Sequence, residues 1–153
     1  MTALRTAAAA ALACETLGVA RGTTAVVGCG VNGAETASML VARGITPLLW
    51  DVDEERRRTV ATRIGAGVAA SAEEALACDV VVTVTPGREV LYAPGSLRAG
   101  QHVSLMGADG PGKAEVAIEE LHRAQLFCDD WAQASHGGEL AGAASAGSIA
   151  REQ

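Results

Sequence analysis

The sequence predicts an α/β protein: a doubly wound parallel sheet of about six strands, flanked by N- and C-terminal helices. Three observations carry that expectation. Short β-favouring runs alternate with helical runs along the chain, which is the pattern of repeated strand-helix-strand units. One run, DVVVTVT at residues 79–85, is continuously apolar in the manner of a strand covered on both faces. A glycine-rich turn, GCGVNG at residues 28–33, stands between a predicted strand and a predicted helix.

Taken in order, Thr2 reads as the N-cap of an Ala-rich helix over residues 3–17, closed by Gly18 and a turn at Arg21-Gly22. An ordinary helix explains this stretch better than a signal peptide, because Ala makes a weak apolar region and Glu15 follows at once. The first strand starts at Thr24, and a helix runs from the glycine turn to Arg43, where Gly44 ends it. PLLWD (47–51) is the second strand, and residues 53–64 form a helix on which Glu54 and Arg58 pair at i,i+4. The Arg56-Arg57-Arg58 run then reads as a solvated helix face. Val68-Ala69 marks a third strand, Ser71 caps a helix over 72–77, and 79–85 is the fourth strand. HVSLMG (102–107) is the fifth. Residues 114–123 read as a helix, LFCDD (126–130) offers a sixth strand, and 139–152 reads as a Gly/Ala-interrupted helix.

A chain of 153 residues is expected to form a single domain that buries roughly 70% of its unfolded surface. With four aromatic residues, its core must be built from Ala, Val, Leu and Ile, with glycine at close contacts. A net charge of -6 and no basic cluster beyond the Arg triplet argue against nucleic acid as a partner. No apolar run approaches a membrane span. Cys14, Cys29, Cys78 and Cys128 show neither disulfide nor metal spacing, so no metal site is expected and the thiols fit a reduced, cytoplasmic protein. His102, His122 and His136 have no partner pattern and read as surface or packing residues.

The turn carries the chemistry. Gly28 allows a tight reversal, Gly30 allows close approach of backbone to a pyrophosphate, and Gly33 allows close packing of helix on strand. The intervening Cys29, Val31 and Asn32 bring backbone N–H groups and the positive end of a helix dipole to the same place. Asp51 ends the next strand, eighteen residues beyond Gly33, where a carboxylate accepts from ribose hydroxyls and repels a 2′-phosphate. The reading is a Rossmann domain that binds NAD(H), with NADP(H) less favoured. Val84, Thr85, Pro86 and Arg88 follow the fourth strand and are expected to border the nicotinamide and its ribose, the other reading being a strand exit and a Pro-Gly turn.

Four segments together, LRTAA (4–8), GCGVNG, GADGPGK (107–113) and GEL (138–140), make the chain resemble the ornithine cyclodeaminase and mu-crystallin family over nearly its whole length. That family contains cyclodeaminases, alanine dehydrogenases, and ketimine and pyrroline-carboxylate reductases. The resemblance implies that Arg5 holds a substrate carboxylate, and a cation in a helix's first turn, where it opposes the dipole, agrees with an anion to bind. It also implies proton transfer by Asp109, which follows the fifth strand at its C-terminal end, where ligands of such sheets bind. Lys113, beside it, either joins the chemistry or orients the loop.

Members of the family resemble two-lobed proteins, and the lobe that completes the substrate site and the dimer interface has no counterpart here. The resemblance therefore implies the cofactor half of an NAD-dependent enzyme acting on a small amino or imino acid. This half is either a piece of a longer chain or completed by a separate substrate-lobe polypeptide. Apolar surface left on the terminal helices implies self-association or a partner. The alternative is a non-catalytic NAD(H)-binding or scaffold module in a larger assembly. Arg5 and Asp109 favour the enzyme, since a pure binder requires neither.

Overall fold

The computed structural model describes residues 2–18, 22–110 and 112–151. The turn residue Arg21, Pro111 of the GADGPGK segment and Glu152 at the end of the last expected helix lie outside the described residues. The chain divides into two compact units, the first made of Met1–Val84 and Ala99–Met106, the second of Thr85–Arg98 and Gly107–Gln153.

The first unit holds the whole sheet. Its elements are α1 (Thr2–Leu17), β1 (Thr24–Val27), α2 (Val31–Ala42), β2 (Leu48–Trp50), α3 (Glu54–Ile64), β3 (Gly67–Val68), α4 (Ala72–Leu76), β4 (Val80–Thr83) and β5 (His102–Leu105). The strands are parallel and ordered β3-β2-β1-β4-β5, so the chain winds outward from β1 in one direction and then returns to its other side. α2 packs on α3 and on β1, while α4, which carries the chain back past β1, packs on β1 and β2. In register, Val27 of β1 stands beside Trp50 of β2 and Thr83 of β4. The three strands therefore end together, next to the glycine turn.

β1 and β4 are buried along their full lengths, which fits central strands covered on both faces. The core uses small side chains, as composition predicted: Ala10, Ala11 and Cys14 of α1 join Val26, Ala34, Ala37, Leu40, Leu49, Val60, Ala61, Val80 and Val82. Local signals account for the helix ends. Asp53 caps α3 by accepting from Arg56 N at 2.9 Å, and Gly65 closes it in the left-handed conformation at φ 72°. Ser71 caps α4 by accepting from Glu74 N, while Glu74 reaches back to Ala70 N at 2.5 Å. Thr2 lies inside α1 as its first residue instead of preceding it.

Among the described residues the sheet has five strands, close to the six or so expected. LFCDD forms no strand, because Asp130 accepts from Gln133 N at 3.1 Å and starts a helix. The second unit contains α5 (Ile118–Leu121), that new helix α6 (Trp131–Gly137) and α7 (Ala141–Ser145). The helix expected over 114–123 shrinks to α5. The N–H groups of Glu115 and Val116 go instead to the Glu139 carboxylate, and Glu115 O accepts from Leu91 N and Tyr92 N. Tyr92 and Val116 form a parallel bridge, and Tyr92 is fully buried. The helix expected over 139–152 is reduced to α7, which Gly147 ends at φ 66°.

Candidate functional site

In the first unit, the turn after β1 is held in place by its own glycines. Gly28 has φ 101°, a region that side chains strongly disfavour, and its N–H donates to Trp50 O at 2.7 Å. At Gly33 a Cβ would lie 1.7 Å from Gly28 O, so only glycine lets α2 start this close to the turn. Gly30 differs from both: its φ is -67° and a Cβ there would meet nothing within 4 Å. Among the described residues no packing demand explains it, whereas open space over Gly30 suits a ligand approaching the backbone.

Gly30 is the N-cap of α2, and no described side chain caps the helix or places an acid in its first turn. Val31 is 81% exposed there. The unmet N–H groups and the positive dipole end of a twelve-residue helix make this an anion cradle.

Asp51 reaches the same turn from β2. Its carboxylate is nearly buried, and Oδ2 accepts from Cys29 N at 2.6 Å while Oδ1 accepts from Asp53 N at 2.9 Å. Arg56 adds an ion pair to Asp51 at 3.5 Å and another to Asp53 at 3.1 Å. A carboxylate offers about four acceptor positions, so Asp51 retains capacity beyond these partners. Beside it, the Cys29 thiol is pushed up to about 11 by burial and by the Asp51 charge, which makes it a poor nucleophile.

The Arg triplet is not one solvated face. Arg58 is exposed and pairs with Glu54 at 2.7 Å, as read from spacing. Arg57 instead folds over the Trp50 ring at 4.1 Å from its centroid and donates to Asp51 O at 2.9 Å. Its Nε is buried with no hydrogen-bond partner among the described residues.

Arg5 sits exposed in the first turn of α1, and no carboxylate pairs with it among the described residues. Val84 follows β4, its N–H donating to Val27 O at 2.8 Å.

The second unit brings together the strand exit and the Asp109 loop. Pro86 and Arg88 are exposed. Asp109 is exposed and forms an ion pair with Lys113, which holds its carboxyl below the usual range through a hydrogen bond and charge. It is therefore ionised at neutral pH. Three carboxylates not singled out from the sequence organise this unit, Glu115 and Glu120 buried and Glu139 half-buried. Glu115 accepts from Thr85 N at 3.1 Å, Thr85 Oγ1 at 2.5 Å and Gly107 N at 2.9 Å. Glu139 Oε1 accepts from Glu115 N and Val116 N, both at 2.8 Å, and burial pushes its carboxyl up. Glu120 accepts from Gly95 N at 2.6 Å and Leu97 N at 2.9 Å and pairs with Arg123 at 2.8 Å. No local pattern marked Glu115, whose partners stand 8 and 30 residues away; Glu139 was visible only as part of the GEL segment.

Among the described residues no cluster of His, Cys, Asp and Glu can hold a metal, and no helix is long and apolar enough to cross a membrane. His102 Nε2 faces Ser104 Oγ at 2.9 Å, while His122 and His136 are exposed.

A parallel sheet of order 3-2-1-4-5, a glycine turn into an uncapped helix and an acid at the end of the second strand define a Rossmann-type domain. The comparisons with known proteins narrow this. The sequence model of the ornithine cyclodeaminase/mu-crystallin family matches residues 1–151, and the chain belongs to that family. It is 38% identical to an alanine dehydrogenase of Archaeoglobus fulgidus, over 99% of this chain and 49% of that protein. It is 33% identical to an ornithine cyclodeaminase of Agrobacterium tumefaciens, over 84% of this chain and 39% of that protein. Among solved structures, an archaeal alanine dehydrogenase dimer with bound NAD superposes with a TM-score of 0.86 at 35% identity, covering 99% of this chain and 49% of that one. The iminosuccinate reductase of Paracoccus denitrificans with NAD⁺ gives 0.84 at 28% identity, covering 99% and 50%. The chain thus spans about half the length, or less, of the relatives it matches.

Proposed function

We propose that this chain is the NAD(H)-binding half of an amino-acid or imino-acid oxidoreductase or cyclodeaminase, completed by a substrate lobe on the same or a separate polypeptide. The observation that carries the reading is the pairing of an uncapped α2 N-terminus at Gly30 with Asp51 hydrogen-bonded to Cys29 N in the same turn. Gly28, Cys29, Gly30, Val31, Asn32 and Gly33 would hold the pyrophosphate, and Asp51 the adenosine ribose. Val84, Thr85, Pro86 and Arg88 would border the nicotinamide ribose. NAD(H) is favoured over NADP(H) because Asp51 repels a 2′-phosphate, although Arg56, half exposed beside it, offsets part of that charge.

When bound, the nicotinamide supplies the acceptor or donor of a hydride. The chain's own residues do the rest. Arg5 would take the substrate carboxylate; its exposure with no described partner supports that role. Asp109, an exposed carboxylate in the loop after β5, would accept the substrate proton and return it in the reverse direction, with Lys113 orienting it. Leu4 and Leu12 of α1 are 56% and 62% exposed, which supports an interface with a second copy or with the substrate lobe. Free cysteines at 14, 29, 78 and 128 support a cytoplasmic setting.

Calorimetric titration of the chain with NAD⁺, NADH and NADPH tests the reading. Saturable binding that prefers NAD(H) is expected. No binding of any of the three would remove the cofactor assignment.

A further inference from the structure

Glu115 is fully buried, and its two oxygens serve two separate stretches of chain. Oε1 accepts from the backbone N–H and hydroxyl of Thr85, and Oε2 accepts from Gly107 N, the residue that opens the Asp109 loop. The Thr85 hydroxyl in turn accepts from Gly87 N at 3.2 Å. A Cβ on Gly107 would lie 2.4 Å from Glu115 Oε1 and 2.4 Å from Thr85 O, so the carboxylate occupies the space that glycine leaves. The two stretches meet again at Gly87, whose O accepts from Ala114 N at 3.0 Å.

A buried carboxylate is an expensive way to fill a core, and an apolar side chain of similar volume often serves stability as well or better. What an apolar side chain cannot do is accept from Thr85 and Gly107 together and so fix their separation. We infer that Glu115 is a positioning residue that sets the Thr85–Arg88 segment and the Gly107–Gly110 stretch as one unit for the nicotinamide end of the cofactor. The inference rests on the NAD(H) reading. It predicts that disturbing Glu115 harms recognition of the nicotinamide half and spares recognition of the ADP half, which the glycine turn and Asp51 hold.

The test compares NADH with ADP-ribose, which lacks the nicotinamide, by calorimetry on the wild-type chain and on Glu115→Gln and Glu115→Asp. Glutamine puts an NH2 where an acceptor is needed, and aspartate is too short to serve both stretches. Both are expected to weaken NADH by about tenfold while ADP-ribose stays within about twofold. Equal weakening of both ligands would mark general structural support, and no weakening of either would mark an idle carboxylate; each overturns the inference. If neither variant folds by circular dichroism, amide exchange in the wild-type chain decides. NADH is then expected to slow exchange at Thr85 and Gly107 where ADP-ribose does not, and identical exchange with both ligands overturns the inference. A wild-type chain that binds neither ligand overturns the NAD(H) reading itself, and this inference with it.

Discussion

The backbone N–H of Cys29 donates to Asp51 Oδ2 at 2.6 Å, so that one carboxylate anchors the glycine turn to the end of β2 across 22 residues of sequence. Asp51→Ala would leave the N–H groups of Cys29 and Asp53 without this acceptor, at a cost of about 2 kcal/mol, or a fall of roughly 4–8 °C in Tm by calorimetry. Asp51→Asn keeps one acceptor and loses the charge. It is expected to cost less stability and to narrow the gap between NADH and NADPH affinities by about tenfold, since the repulsion toward a 2′-phosphate is gone.

Gly33→Ala should be far more damaging than Gly30→Ala. The first places a methyl group 1.7 Å from a carbonyl oxygen and forces the backbone apart, so a loss of about 3 kcal/mol or more is expected by urea unfolding. The second meets nothing in the protein and should leave stability within about 1 kcal/mol while weakening NADH. Equal stability losses would show that the two glycines share one role.

Cys29 and Cys128 should separate cleanly in alkylation at mildly alkaline pH. Cys29 is buried with its thiol raised to about 11, so only on the order of one molecule in a thousand is thiolate at pH 8, whereas Cys128 is exposed. Peptide mapping after brief iodoacetamide treatment is expected to find Cys128 modified and Cys29 untouched. Early labelling at Cys29 would mean that the turn opens readily.

Glu120 ties down the turn at Gly95 and Leu97, and those N–H bonds, with Arg123, hold its carboxyl below the ordinary 4.5. A depressed folded value means that the unfolded chain binds the proton more readily. The stabilisation is therefore complete above about 4.5 and is lost as pH falls through the lower folded value. Glu120→Gln should be less stable than wild type at neutral pH, with the difference shrinking in acid. A difference independent of pH would assign the loss to packing instead of charge.

The first unit was largely legible in the sequence because its signals are local. Five strands, the Ser71 cap and the glycine turn each announce themselves within a few residues, whereas Asp53, read as the first helical residue, is in fact the cap of α3. The second unit was not, because distant partners outweigh local propensity there. Glu115 and Val116 have helical neighbours in sequence, yet their N–H groups are taken by Glu139 and the Glu115 carbonyl by Leu91 and Tyr92. LFCDD has an apolar start, but its last Asp spends its side chain on the next turn. Arg57 looked like its neighbours because a stretch of three arginines carries no sign of which one faces the Trp50 ring.

The stacking of Arg57 on Trp50 gives this chain a built-in optical gauge. The chain has two tryptophans, Trp50 and Trp131, so Trp131→Phe leaves a single tryptophan at the end of β2, next in sequence to Asp51 and excitable apart from Tyr92 at long wavelength. Its emission responds to the charge lying over the ring, and anything that reorders that guanidinium will register as a change in intensity or colour. Ligands can then be ranked in a cuvette without labels, coupling enzymes or knowledge of the substrate.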